Sequence, residues 1–106
     1  MKQYTTPEQT AKLIELGFAE PKTKLPFEVA NDELGYTYSI GELIEMLPNV
    51  VESEDSEYAT LQIYFDLFNW IIEYTGVEKT EYTTSAIELI DALYDMILKL
   101  KEEKII

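Results

Sequence analysis

The stretch 58-YATLQIYFDLFNWIIEYTG-76 decides the fold, because it supports two readings and each builds a different molecule. Read with a period of two, Leu61, Ile63 and Phe65 alternate with Gln62, Tyr64 and Asp66, and Trp70, Ile72 and Tyr74 alternate with Asn69, Ile71 and Glu73. That pattern is a β-hairpin turning near residues 66–69. Read with a helical period, Gln62, Asp66, Asn69 and Glu73 fall on one polar stripe, and a helix is also consistent. Composition favours the strands: Tyr, Ile, Phe, Trp and Thr dominate, and their branched or ring-bearing side chains fit a pleated surface better than a helical one.

On the C-terminal side, residues 77–84 read as a polar connection, with Tyr82 adding extended structure. Residues 85–104 then carry the clearest pattern in the chain. Ala86, Leu89, Ile90, Leu93, Met96, Ile97 and Leu100 recur at three- and four-residue spacing, which puts them on one helical face, while Glu88, Asp91, Asp95, Lys99 and Glu102 face away. Thr84 or Ser85 is the expected cap, and Ser85 with Glu88 makes a capping-box pattern. Acids near the start and Lys99, Lys101 and Lys104 near the end suit the helix dipole, each worth about 0.3–1 kcal/mol if exposed. Ile87, Tyr94 and Leu98 form a second, narrower apolar line, a candidate contact line for a partner whose ordinary use is packing.

On the N-terminal side, residues 49–57 form an acidic loop. Glu52, Glu54, Asp55 and Glu57 make it a candidate acidic partner surface, but the alternating ligands, central Gly and final Glu of a calcium-binding loop are missing, and a solvated loop is the expectation. Before it, Ser39 with Glu42 is another capping box. It opens a helix with Ile40, Leu43, Ile44 and Leu47 on one side, stopped by Pro48. Residues 27–30 and 36–38 read as short strands around a turn, and residues 20–26 as an irregular connection. The first helix starts at Thr6 as cap, with Pro7 at the first helical position and Gln9 three residues after the cap. It runs to Leu16, and Gly17 is placed to close it in the left-handed conformation, with Phe18 packing back.

The expected architecture is therefore one α+β domain: three helices packed on a small antiparallel β-hairpin or sheet. At 106 residues there is one core, and a hydrophobic share of 46% argues against wholesale disorder. Eight Tyr, four Phe and Trp70 make that core aromatic-rich.

Twenty-one Asp and Glu against eight Lys give a net charge of −13, and Arg is absent. Clustered positive charge supplies the electrostatic part of nucleic-acid binding and Arg the bidentate phosphate contact, so direct DNA or RNA binding is disfavoured. From residue 25 to residue 78 there is no basic residue, and the middle of the chain carries a strong negative potential. Absence of Cys and His excludes disulfides, thiol catalysis, zinc sites with N or S ligands and imidazole bases. No cofactor and no metal is expected. The Met1-Lys2-Gln3-Tyr4 start lacks an apolar signal region, and the longest apolar run is broken by Gln62, Asp66 and Asn69. The expectation is a soluble cytoplasmic protein that does not enter a membrane.

Three motifs together resemble a known group. Glu8-Gln9 with Leu13 and Glu15-Leu16-Gly17, then Ser39-Ile40-Gly41-Glu42-Leu43-Ile44-Glu45-Met46-Leu47-Pro48, then Glu88-Leu89-Ile90-Asp91-Ala92-Leu93 with Met96, look like small uncharacterised acidic proteins of phages and conjugative elements of gut bacteria. The resemblance covers most of the chain and rests mainly on capping and core positions. It implies a first helix, a second helix ending in Leu-Pro, a short aromatic strand pair and a last helix, and it carries no activity, cofactor or catalytic residue. The aromatic run from Tyr64-Phe65 to Phe68 departs from many members of the group.

For function, the base-free middle and the missing catalytic vocabulary favour a non-enzymatic binding or accessory protein acting through an acidic surface on a basic protein partner. A sharper version is a DNA mimic that occupies a nucleic-acid-binding protein. A self-associating structural protein is a third reading, with Ile87, Tyr94 and Leu98 or a sheet edge as the contact. Catalysis by paired carboxylates ranks last: Asp91 and Asp95, one turn apart, are most simply the solvent side of a helix.

Overall fold

The computed structural model describes residues 1–24, 36–53 and 58–106. Stretch 58–76 is the hairpin and not the helix: β4 (Tyr58–Phe65) pairs antiparallel with β5 (Trp70–Thr75), from Thr60 opposite Thr75 to Phe65 opposite Trp70. Around it the elements run α1 (Pro7–Glu15), β1 (Thr23–Lys24), β2 (Tyr36–Thr37), α2 (Ile40–Met46), β3 (Val50–Glu52), β4, β5, β6 (Thr80–Ala86) and α3 (Leu89–Glu102). β3-β4-β5-β6 is a four-stranded antiparallel sheet in sequence order, and β1 and β2 pair separately. The sheet is curled. Ser53, just past β3, donates to Glu81 of β6 at 2.6 Å, bridging two strands that the sheet order holds apart.

α3 packs on β6 and β5 and against α2. Its Leu89, Ile90, Ala92, Leu93, Met96, Ile97 and Leu100 are buried, as the periodicity requires, and meet Ile72 and Tyr74 from β5 and Leu43 and Leu47 from α2 and its end in one core. Burial pushes the Tyr74 hydroxyl up to about 12, so it stays a neutral donor, and it reaches the Pro48 carbonyl at 2.7 Å. A polar knot sits beside this core. Thr5, Thr10 and Thr37 are buried with their hydroxyls linked at 2.6 Å (Thr5–Thr10) and 2.8 Å (Thr5–Thr37), which ties the N-terminal segment, α1 and β2 together without an unpaired hydroxyl.

Both capping boxes form: Thr6 with Gln9, and Ser39 with Glu42. α1 ends as read, with Gly17 at φ 96°, its N–H on Ile14 and that of Phe18 on Leu13, which is the Schellman pattern.

Several expectations are corrected. The final helix starts at Leu89, not near residue 85, because Ser85 and Ala86 continue β6 opposite Ile71 and Trp70. Residues 80–86 are rich in Thr and Tyr, and the partner strand wins them for the sheet. The Ser85–Glu88 capping box is therefore absent; Glu88 is the N-cap without a side-chain cap bond, and its carboxylate accepts the Lys2 backbone N–H at 2.7 Å. Residues 80–84 are strand rather than connection, which includes the extended Tyr82. Within the expected acidic loop, Val50–Glu52 is a strand, since Val51 is buried against the core. β1 lies in the stretch read as irregular; the strand expected at 27–30 lies outside the described residues.

Asp91 is also not a bare solvent residue. It accepts from Lys2 Nζ and Gln9 Nε2, both at 2.9 Å, and so pins the N-terminal segment and α1 to the start of α3. Partial burial pushes its carboxyl up, but the bonds from Lys2 and Gln9 and the charge of Lys2 outweigh this and hold it below its usual range. The stabilisation it contributes is therefore complete above its unfolded value near 3.9 and is lost as pH falls through the lower folded value. Lys2→Met is expected to lower stability at pH 7 by less than about 1 kcal/mol for so exposed a pair, seen as a lower melting temperature, with the difference closing as the pH drops below the folded value. A gap that does not change with pH would contradict this.

Lys104 ends α3 in the same way that Gly17 ends α1, at φ 61°, with its N–H on Lys101 and that of Ile105 on Leu100. A side chain there strains the backbone. Lys104→Gly is expected to raise stability by about 0.5–1 kcal/mol and Gly17→Ala to lower it by about 1 kcal/mol, the latter from backbone alone since nothing lies within 4 Å of the added carbon. Thermal melts of both variants check the opposite signs.

Candidate functional site

The core face of β4 loses its cover toward the turn. Ala59 is buried, Leu61 and Ile63 are half-buried, and Phe65 is 53% exposed, because α3 lies over β5 and β6 and starts only at Leu89. Phe65 and Trp70, opposite each other in register, lie on this face with ring centres 5.4 Å apart and planes tilted by 58°. Such a tilted pair is favourable in itself.

The turn beyond them is built with care. Asp66 N–H donates to the Asn69 carbonyl at 3.0 Å, and the Asp66 carboxylate accepts the N–H groups of Phe68 and Asn69 at 3.2 and 2.8 Å. Those backbone bonds, from Asn69 first, hold the carboxyl below its usual range. This leaves a two-residue loop, Leu67-Phe68, whose first residue sits at φ 91°. Gly is the ordinary occupant of that position. Here it is leucine, 83% exposed, followed by Phe68 at 77%. Ile87, 77% exposed, adds to the same end of the sheet, one residue past Ala86, whose register partner is Trp70. Four exposed apolar side chains, Phe65, Leu67, Phe68 and Ile87, thus lie at one end of the sheet, beside Trp70, which is partly buried against the core. Burying a large apolar side chain is worth about 1.5–3 kcal/mol, none of which Leu67 and Phe68 collect in the isolated chain.

The other face of the same strands is polar. Tyr64 donates to Glu73 at 3.1 Å, a bond that raises the phenol's affinity for its proton, and Gln62 lies opposite Glu73 in register. No lysine lies between residues 25 and 78, so the hairpin carries Asp66 and Glu73 without a lysine of its own.

The residues singled out from sequence are dispersed. Of the acidic set, Glu52 is exposed on β3, and Glu54, Asp55 and Glu57 lie outside the described residues. Of the apolar line, Tyr94 and Leu98 are partly buried against the core, whereas Ile87 precedes α3 and belongs to the sheet end. Asp95 is exposed; burial of its surroundings first, and the neighbouring Asp91 second, push its carboxyl up. Among the described residues no group of three acidic side chains is placed to hold a metal ion, and no helix is long and apolar enough to cross a membrane.

Among the described residues, shallow cavities lie around α1, β2 and α2. One of about 300 Å³ is lined by Thr10, Ile14, Glu20, Pro21 and Tyr36, and one of about 170 Å³ includes Tyr38 and Glu42. The Glu42 carboxylate is already engaged by Thr23, the Lys22 N–H and its own capping box, which outweigh the effect of burial and keep it ionised. It is an anchor for β1. No family model, curated protein or solved structure matches the chain.

Sequence reading identified the aromatic turn but not its role. The missed signal is Leu-Phe where a two-residue hairpin loop ordinarily has Asn-Gly or Gly. Leu67→Gly is expected to raise stability by roughly 0.5–1 kcal/mol by relieving the backbone, measured by thermal unfolding. A destabilised variant would show that Leu67 is held by contacts within the chain.

Proposed function

We propose that this protein is a non-enzymatic binding protein that docks on a basic protein partner through the uncovered apolar end of its sheet. The observation that carries the reading is Leu67. A strained backbone position holding an exposed leucine, beside an exposed phenylalanine, costs the isolated molecule free energy and yields nothing there, and such strain clusters at contact sites. Aromatic residues at the centre of a patch with a charged surround are the composition of protein interfaces. Charge chooses the partner. A chain of net charge −13, with its hairpin in the base-free segment, attracts a cationic surface and repels a second copy of itself. The resemblance to small proteins of phages and conjugative elements supports an origin in such an element.

The test is affinity capture from host lysate with the wild-type chain and a Leu67→Ser/Phe68→Ser variant, washed at low and high salt. The expected result is a basic protein held by the wild type, weakened by salt and lost from the folded variant. Equal capture by both proteins would contradict the proposal, as would retention that salt does not affect.

A further inference from the structure

β4 runs on past the end of β3, and this leaves an open edge beside the apolar end. Along an antiparallel strand successive residues direct their N–H and C=O groups to opposite sides. The bond between Asp66 and Asn69 turns the even-numbered residues of β4 toward β5, and the Leu61 N–H, donating to the Asn49 carbonyl at 2.9 Å, turns the odd-numbered ones toward β3. β3 ends its register at Val50 opposite Thr60. Ile63 and Phe65 therefore direct backbone donors and acceptors to a side where, among the described residues, no strand follows. An edge of this sort is a template for another strand unless it is blocked. β4 has no lysine, no proline and no register shift along its pairing with β5, whereas the opposite edge, β6, carries an irregularity at Tyr74/Thr75 and the Lys79–Glu81 pair at its start.

We infer that the partner contributes an extended basic segment, which adds to the sheet as a strand on β4 at Ile63 and Phe65. The inference rests on the docking reading above and specifies its chemistry. Backbone groups of the segment pair with those of Ile63 and Phe65. Alternate side chains fall on the two faces: apolar ones beside Ile63 and Phe65, and lysine or arginine beside Gln62 and Tyr64, with Glu73 one strand further in on β5. The segment is alternately apolar and cationic, matching the exposed Phe65 on one face and the chain's net charge of −13.

The test titrates the isotope-labelled protein with the peptide Lys-Val-Lys-Val-Lys-Val-Lys, the same peptide N-methylated on alternate amides, and its Glu-for-Lys counterpart. The parent peptide is expected to slow hydrogen exchange of the Ile63 and Phe65 amides at least about tenfold while leaving Gln62 and Tyr64 unchanged. N-methylation in the register that faces β4 is expected to weaken binding at least about tenfold, and the acidic peptide is expected not to bind. Equal binding of the methylated peptide, no binding of the parent peptide, or a dimer of the protein alone closed through this edge would each overturn strand addition. Failure of the docking reading is a separate result, seen when capture from lysate survives Leu67→Ser/Phe68→Ser.

Discussion

Seven apolar side chains of α3, from Leu89 to Leu100, must be hidden along one side of a fourteen-residue helix, and the curled sheet is what hides them. Their burial contributes on the order of 10 kcal/mol before conformational entropy is counted, the largest single block in so small a core. The other elements are arranged by this need. β5 and β6 provide the floor, α2 closes one flank, and Asp91 draws the N-terminal segment and α1 onto the start of the helix through Lys2 and Gln9.

The same constraint fixes where cover runs out. β6 runs toward the hairpin turn, the chain reverses at Ile87 and Glu88, and α3 returns over β5 and β6. A helix beginning at Leu89 does not reach over Phe65, and the hairpin projects past it with its core-facing side uncovered. A loop with Gly in place of Leu67 would close the turn without strain. The hairpin instead carries leucine and phenylalanine, a departure from local preference of the sort that marks a functional or strained site.

Much of this architecture is legible in the sequence, and the reasons differ by element. Both capping boxes and the Gly17 terminus were readable because their chemistry is local. The hairpin was readable because alternation and composition together favoured strands over a helix that periodicity alone allowed. The start of α3 was not, since Ser85 and Glu88 satisfy a local capping rule that pairing with Trp70 and Ile71 overrides. β3 was hidden by the acids around it, because the burial of Val51 against distant residues leaves no local trace. The candidate site was half visible. Ile87 stands in an apolar line read on the last helix, whose ordinary use is packing, and the acidic positions draw attention to a loop rather than to the hairpin, whose strain depends on a φ angle that composition does not reveal.

Trp70 is the single tryptophan and lies against Phe65 at the uncovered end, which makes it a direct reporter of the central claim that this end is the contact surface. The measurement is Trp70 emission during titration with the purified captured partner. A shift to shorter wavelength, saturating with binding, is predicted as water leaves the Phe65–Trp70 pair; binding established by an independent method with unchanged Trp70 emission would contradict the account.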